Sequence, residues 1–317
     1  MAFSVTALTT YIEEQKQKIV TSILFTGKTA SIISGGGTVM SGVKSTEKIT
    51  IMDTDAIFQT GGTCGFNSSG ATTFTQREMV VGKIKVHESL CPKTLETKWL
   101  QKKLAQGSQY TSFDFAGDFT GKKVARIAAQ LETAIWKGDD DSVDVNLNKF
   151  DGLEKLIAAE GTVVNANAVA YYGTPLTGGQ TTSTIINAVN AVYKAIPTEL
   201  LDRSDVKIFI GWDDFRKYGV ALTEGKYFVN WSDSLASGSI MVPNTNVELI
   251  AVNGLNGTNA MYATYLENLY LGVDMLNEEE RVELFFAKEA DEIRFMAEWK
   301  YGVQFAFPQH IVKFIAD

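Results

Sequence analysis

Cysteine, histidine and long apolar runs are all scarce in this sequence, and each scarcity closes off a class of function. Two cysteines, Cys64 and Cys91, cannot make a disulfide framework, and their spacing fits no zinc site. The two histidines, His87 and His310, stand in no triad or thiol motif, so the usual general-base constellations are missing. No stretch of about 18 apolar residues is present to span a bilayer. Met1-Ala2-Phe3-Ser4 has neither the basic segment nor the apolar stretch of a signal peptide, so the expectation is folding in a reducing cytosol, away from membranes. Basic charge is also short. A net charge of −8 argues against a dedicated nucleic-acid binder, although a container needs no strong affinity for what it encloses.

What is present is ordinary globular material. The 317 residues, 45% apolar and 21% charged, suffice for one large or two ordinary domains with a buried core. Residues 8–25 read as a helix, with Leu8, Ile12, Ile19 and Ile23 on one face. Residues 31–45 carry Gly35-Gly36-Gly37 and few large apolar groups, which predicts a flexible arm. Strand-like runs at 49–51 and 79–87 flank 60–75, rich in Gly, Ser and Thr. The pattern fits either a long β-hairpin ordered by another molecule or an ordinary long surface loop.

Pro92 suits the first turn of a helix over 92–104. A stronger helix follows, with Val124, Ile127, Ala128, Leu131, Ala134 and Ile135 in register, Asp118 or Thr120 as N-cap and Gly138 as the stop. A helix over 182–196, a strand over 206–210 and a short helix over 212–218 make a compact α/β unit. Strict alternation from Ile293 to Phe307, together with Val282, Leu284 and Phe286, predicts an antiparallel hairpin turning at 288–291. A last strand covers 311–315.

The chemical motifs dissolve on inspection. Gly27-Lys28-Thr29 mimics the end of a phosphate-binding loop, but Ser22 stands where the first glycine is needed and the motif follows a helix. Asp139-Asp140-Asp141 with Asp144 lacks the glycine and terminal glutamate of a calcium loop, and reads as a solvated helix end. Lys98, Lys102, Lys103, Lys122, Lys123 and Arg126 lie on polar helix sides. They are solvated or contact nucleic acid or an acidic neighbour. No catalytic, cofactor or metal residues are assigned, and no enzyme activity is expected.

The order of parts resembles the HK97-type fold of tailed-phage major capsid proteins, an α+β architecture. Three stretches carry the resemblance: Leu131-Glu132-Thr133-Ala134-Ile135-Trp136-Lys137-Gly138-Asp139 at a helix end, Leu266-Glu267-Asn268-Leu269-Tyr270-Leu271-Gly272-Val273-Asp274, and the alternating segment 291–314. The resemblance implies an N-terminal arm (1–45), an extended loop formed as a β-hairpin (46–90), a peripheral domain with a long spine helix (91–150 and 265–317) and an axial domain (151–264).

It further implies a structural protein that self-assembles as pentamers and hexamers into an icosahedral head around double-stranded DNA, without sequence-specific binding. The chain would be assembled in the host cytoplasm and reside in the virion, with scaffolding, portal and cement proteins as partners. Candidate inter-subunit contacts are Gly61, Gly62, Gly65 and Gly70 in the loop, Tyr227, Phe228 and Trp231 at the axial tip, and Lys288, Glu289 and Asp291 in the peripheral turn. The sequence departs from cross-linked members of the family: 54–77 holds no lysine and 288–291 no asparagine, so no isopeptide weld of that polarity is expected. It also shows no N-terminal coiled-coil scaffold, so scaffolding is expected from a separate or removed protein. An encapsulin-like shell enclosing enzymes shares the implied fold. An α/β enzyme and a tail or neck component are the remaining alternatives.

Overall fold

A computed structural model describes residues 5–61, 65–66, 68–91, 112–225, 238–274 and 281–316. Three sheets organise it. The first is built on β12 (Glu292–Phe305), whose inward residues Ile293, Phe295, Ala297 and Trp299 are buried, as the alternation predicts. It pairs antiparallel with β11 (Arg281–Ala287), β4 (Gly82–Leu90) and β10 (Leu269–Val273), and β1 (Thr38–Ser41) adds a parallel edge to β10. Two helices cover its apolar face: α1 (Val5–Phe25) and the long α3 (Ser112–Lys137), whose Ile127, Leu131 and Ile135 share a core with Ile19, Ile23, Phe295 and Tyr301.

The second sheet runs in the order β5 (Val164–Asn165), β13 (Val312–Ile315), β9 (Ala260–Tyr265), β6 (Val206–Gly211), β8 (Glu248–Val252), β7 (Ser239–Met241). Helices α6 (Ile185–Ala195) and α7 (Trp212–Glu224) close a separate core around Val189, Val192, Ile208, Phe215 and Phe314. Two short helices, α4 (Leu153–Ala158) and α5 (Val169–Tyr172), flank β5 in sequence. The third sheet is a two-stranded ribbon of β2 (Thr46–Thr54) and β3 (Thr72–Val80). Among the described residues no helix is long and apolar enough to cross a membrane.

Several expectations change. Residues 31–45 are not a loose arm: α2 (Lys28–Gly36) and β1 occupy them, and Ile33 and Val43 are buried. The glycines there serve close approach. A Cβ on Gly36 would lie 2.5 Å from Leu266 Cδ1, and one on Gly37 2.8 Å from the carbonyl oxygens of Leu266 and Leu269. The run 79–87 is two strands, broken at Val81, and β3 starts inside the Gly-, Ser- and Thr-rich segment 60–75. Helix α3 begins at Ser112, so Asp118 and Thr120 are interior and cap nothing. Helix α7 extends six residues past the expected 218, to Glu224. The expected helix at 92–104 lies outside the described residues.

Candidate assembly surface

The ribbon β2–β3 is unusual in what it leaves uncovered. Its rows are matched from Thr46↔Val80 to Thr54↔Thr72, which puts Met52 opposite Phe74. Met52 is 58% exposed and Phe74 67%; past the last paired row, Phe58 and Phe66 are 100% and 97% exposed. Burying one such side chain is worth about 1.5–3 kcal/mol, so this end of the ribbon holds a sizeable unmet driving force for contact. Gly65 and Gly70 sit there with φ of 128° and 92°, values that other residues adopt at a cost, and a Cβ on Gly70 would lie 2.7 Å from the Asp55 carbonyl oxygen. Gly61 lies in open space beside them. Gly62 falls outside the described residues, as do Tyr227, Phe228 and Trp231.

The root of the ribbon is packed. Ile49, Met79, Val81 and Val43 form a small core of their own, with Met40, Ile51 and Tyr270 against it. Gln304 Nε2 donates to the Glu78 carbonyl (2.8 Å), and the Arg77 guanidinium stacks 4.6 Å over Phe305 and pairs with Glu160 at 2.7 Å. Gly302 lets the strand pass: a Cβ there would lie 2.2 Å from the Val80 carbonyl oxygen. At the far side of the first sheet, Lys288, Glu289 and Asp291 form the exposed turn between β11 and β12, with Asp291 at φ 53°. The structure does not bring these three together with the ribbon within the chain.

The polar clusters are structural. Lys155 Nζ reaches Asp139 (2.7 Å), Asp141 (3.2 Å), Asp151 (2.8 Å) and Asp140, so the acidic loop carries its own cation. Those hydrogen bonds push the Lys155 ammonium above its ordinary range and hold the Asp139 and Asp140 carboxyls below theirs. Lys123 pairs inward with Glu88, and Lys122 pairs with Asp118 at 3.0 Å. Arg126 is exposed, while Lys98, Lys102 and Lys103 lie outside the described residues. His87 Nε2 meets Glu298 at 3.0 Å and His310 meets Glu199 at 3.3 Å. A groove beside α7 is lined by Asp213, Asp214, Arg216 and Lys217, which pair with one another.

One buried network escaped sequence reasoning. The N-cap of helix α2 is Gly27, which has no side chain to cap it, and Glu132 from α3 does so instead. The Thr29 N–H donates to Glu132 Oε2 (2.9 Å), the Thr29 hydroxyl donates to Oε1 (2.5 Å), and Trp136 Nε1 donates to Thr29 Oγ1 (2.9 Å). Burial raises the Glu132 pKa, opposed by these bonds and by Lys28. Lys28 in turn donates to the Gly238 carbonyl (2.9 Å), so residues 28 and 29 tie the N-terminal segment to both halves of the body. The pseudo-phosphate motif is therefore an internal clamp.

No protein-family model and no curated protein matches the sequence. Solved structures do match. A chain of the satellite phage P4 procapsid, solved with its size-determination protein, matches at TM-score 0.61 and 14% identity, over 95% of this chain and 90% of that one. The capsid of an empty GTA particle matches at 0.56 and 11%, covering 90% and 89%, and a chain of Gordonia phage Cozz at 0.56 and 12%, covering 90% and 86%. The chain has the HK97-type capsid fold. Within that fold, identity this low leaves few side chains in common, so the ribbon's uncovered apolar end and its Arg77 root must be read from this chain's own residues.

Proposed function

We propose that this chain is the major capsid protein of a tailed phage, building pentamers and hexamers into an icosahedral head around double-stranded DNA. The observation that carries the reading is the ribbon. A rooted two-stranded projection with Met52, Phe58, Phe66 and Phe74 in water is poorly suited to a lone subunit and well suited to a subunit that lies across its neighbour. The HK97-type body supports the same reading.

The parts follow. The ribbon and the adjoining strand β4, 46–90, are the extended loop, with the ribbon as its free portion. Strands β10, β11 and β12 of the first sheet and α3 are the peripheral domain, within 91–150 and 265–317, and the second sheet and its helices are the axial domain, 151–264. Strand β13 crosses that division by pairing in the axial sheet. Residues 1–45 are the N-terminal arm, held to the body by the Thr29–Glu132 clamp. The role is structural, not catalytic. Scaffolding, portal and cement proteins are the expected partners, the host cytoplasm the site of assembly and the virion the destination. Gly61, Gly62, Gly65 and Gly70, the axial-tip aromatics, and Lys288, Glu289 and Asp291 remain the proposed inter-subunit contacts.

The test is to replace residues 55–71 by a short turn and examine the product by size-exclusion chromatography and negative-stain electron microscopy, beside the unaltered chain and with neighbouring genes co-expressed. The unaltered chain is expected to give closed shells or rings of five and six, and the shortened one a folded subunit without shells. Normal shells from the shortened chain remove the loop assignment. An unaltered chain that stays monomeric under every condition removes the capsid reading.

A further inference from the structure

The ribbon touches the body over very few residues. In β3, residues 72–76 are exposed, and among the described residues only Arg77, Glu78 and Met79 bring side chains or carbonyls against the body before the exposed Val80. Met79 and its partners Ile49 and Val81 anchor the root, but apolar contact is non-directional and fixes position better than angle. Direction comes from the polar contacts. Gln304 holds the Glu78 carbonyl from β12, and Arg77 meets two parts at once: the Phe305 ring at the end of β12 and Glu160, which follows α4.

We propose that Arg77 is the positioning residue of the ribbon: its ion pair with Glu160 and its seat on Phe305 set the angle at which β2–β3 leaves the body. This rests on the reading of the ribbon as the arm that contacts the next subunit. The leverage is considerable. Five residues separate the Ile49↔Arg77 row from the Thr54↔Thr72 row, about 17 Å of strand, so a rotation of about 10° at the root moves the far row by about 3 Å.

Arg77 and Glu160 are 20% and 31% exposed, so the pair is partly screened and reversible. A planar guanidinium can stay on the ring while its ion pair opens, which a lysine at the same place cannot do as well. One sequence can then present the ribbon at more than one angle, as positions around five-fold and six-fold axes require. The direction is set where ribbon, peripheral sheet and axial half meet, so a shift of the axial half is passed to the ribbon through Glu160.

The experiment measures the angle in the full-length, unassembled subunit, independently of shells. Spin labels are placed at Ala56→Cys and Thr198→Cys in a Cys64→Ser/Cys91→Ser background, and the distance distribution is read by pulsed electron resonance. The parent is expected to give one main distance. Arg77→Gln and Glu160→Gln each raise the displaced population by up to about fivefold, and the double variant adds little to either. Salt near 1 M, where the screening length falls to about 3 Å, has the same effect on the parent and almost none on Glu160→Gln.

Parent-like distances in both variants overturn the proposal, and so does an equal salt response with and without Glu160. Arg77→Lys provides a further check: it keeps the charge but loses planar stacking and is expected to fall between parent and Gln variant, whereas equality with Arg77→Gln refutes a role for the ion pair. Shells of Glu160→Gln are expected to show a wider spread of diameters. Failure of the readings this rests on appears separately: normal shells from the chain shortened at 55–71 remove the loop assignment, and an unaltered chain that stays monomeric under every condition removes the capsid reading.

Discussion

Lys300 and Asp274 form an ion pair in the interior, Nζ to Oδ2 at 3.2 Å, with side chains only 3% and 2% exposed. The carboxylate oxygen accepts no hydrogen bond among the described residues, so its stabilisation is chiefly Coulombic. Across the strand ladder Lys300 lies opposite Lys83 on β4, a like charge. Removing the carboxylate alone, as in Asp274→Leu, takes the opposite charge away from a buried ammonium, at a cost of about 3–5 kcal/mol. At roughly 2 °C per kcal/mol for a chain of this length, Tm falls by roughly 6–10 °C. Removing both charges in Lys300→Met/Asp274→Leu restores stability to within about 1–2 kcal/mol of the parent, because desolvation and attraction vanish together. Thermal and urea denaturation of the unassembled subunit, followed by circular dichroism, measures both. A single variant as stable as the parent refutes the reasoning, as does a double variant no better than the single.

Two further predictions concern the body. Burial raises the Glu132 pKa in the fold, so the folded chain holds that proton more tightly than the unfolded one; the stability this confers is complete below about pH 4.5 and is lost as pH rises through the raised value. Relative to Glu132→Gln, the parent should therefore lose stability between pH 4 and 7 in urea denaturation, and a relative gain over that range would contradict the assignment. Gly302→Ala would place a Cβ 2.2 Å from the Val80 carbonyl oxygen; a destabilisation of more than about 2 kcal/mol and faster hydrogen exchange at the ribbon root are expected, and an unperturbed variant would mean the root is looser than described.

The sequence was most legible where one element faces one core. Alternation located β11 and β12, and helical spacing located α1, α3 and α6. It was least legible where partners are distant in the chain. Lys300 and Gln304 read as the outward half of an alternating strand, yet they are 3% and 7% exposed, because Asp274 and the ribbon root cover that end of β12. Gly35 to Gly37 read as looseness when two of them permit contact with residues 266–269. Strands β8 and β9 are short and buried almost throughout, so no alternation announces them. The acidic loop read as solvated because Lys155 stands outside the motif. The uncovered ribbon end was anticipated as glycine-rich, but its aromatic content is meaningful only once the structure leaves those rings without a cover.

The placement of β13 has a consequence for the order in which the chain can fold. That strand sits between β5 and β9, so residues 164–165 and 260–263 wait for residues 312–315 to fill the gap. The residues between, 269–305, include three strands of the other sheet. The second sheet therefore cannot finish until the strands of the first have been made, and these long-range pairings slow the final step. A nascent chain that carries the ribbon but lacks β13 has an incomplete second sheet. Under the proposed capsid role, half-made copies would then be poor recruits, and a growing shell would be spared from incorporating them.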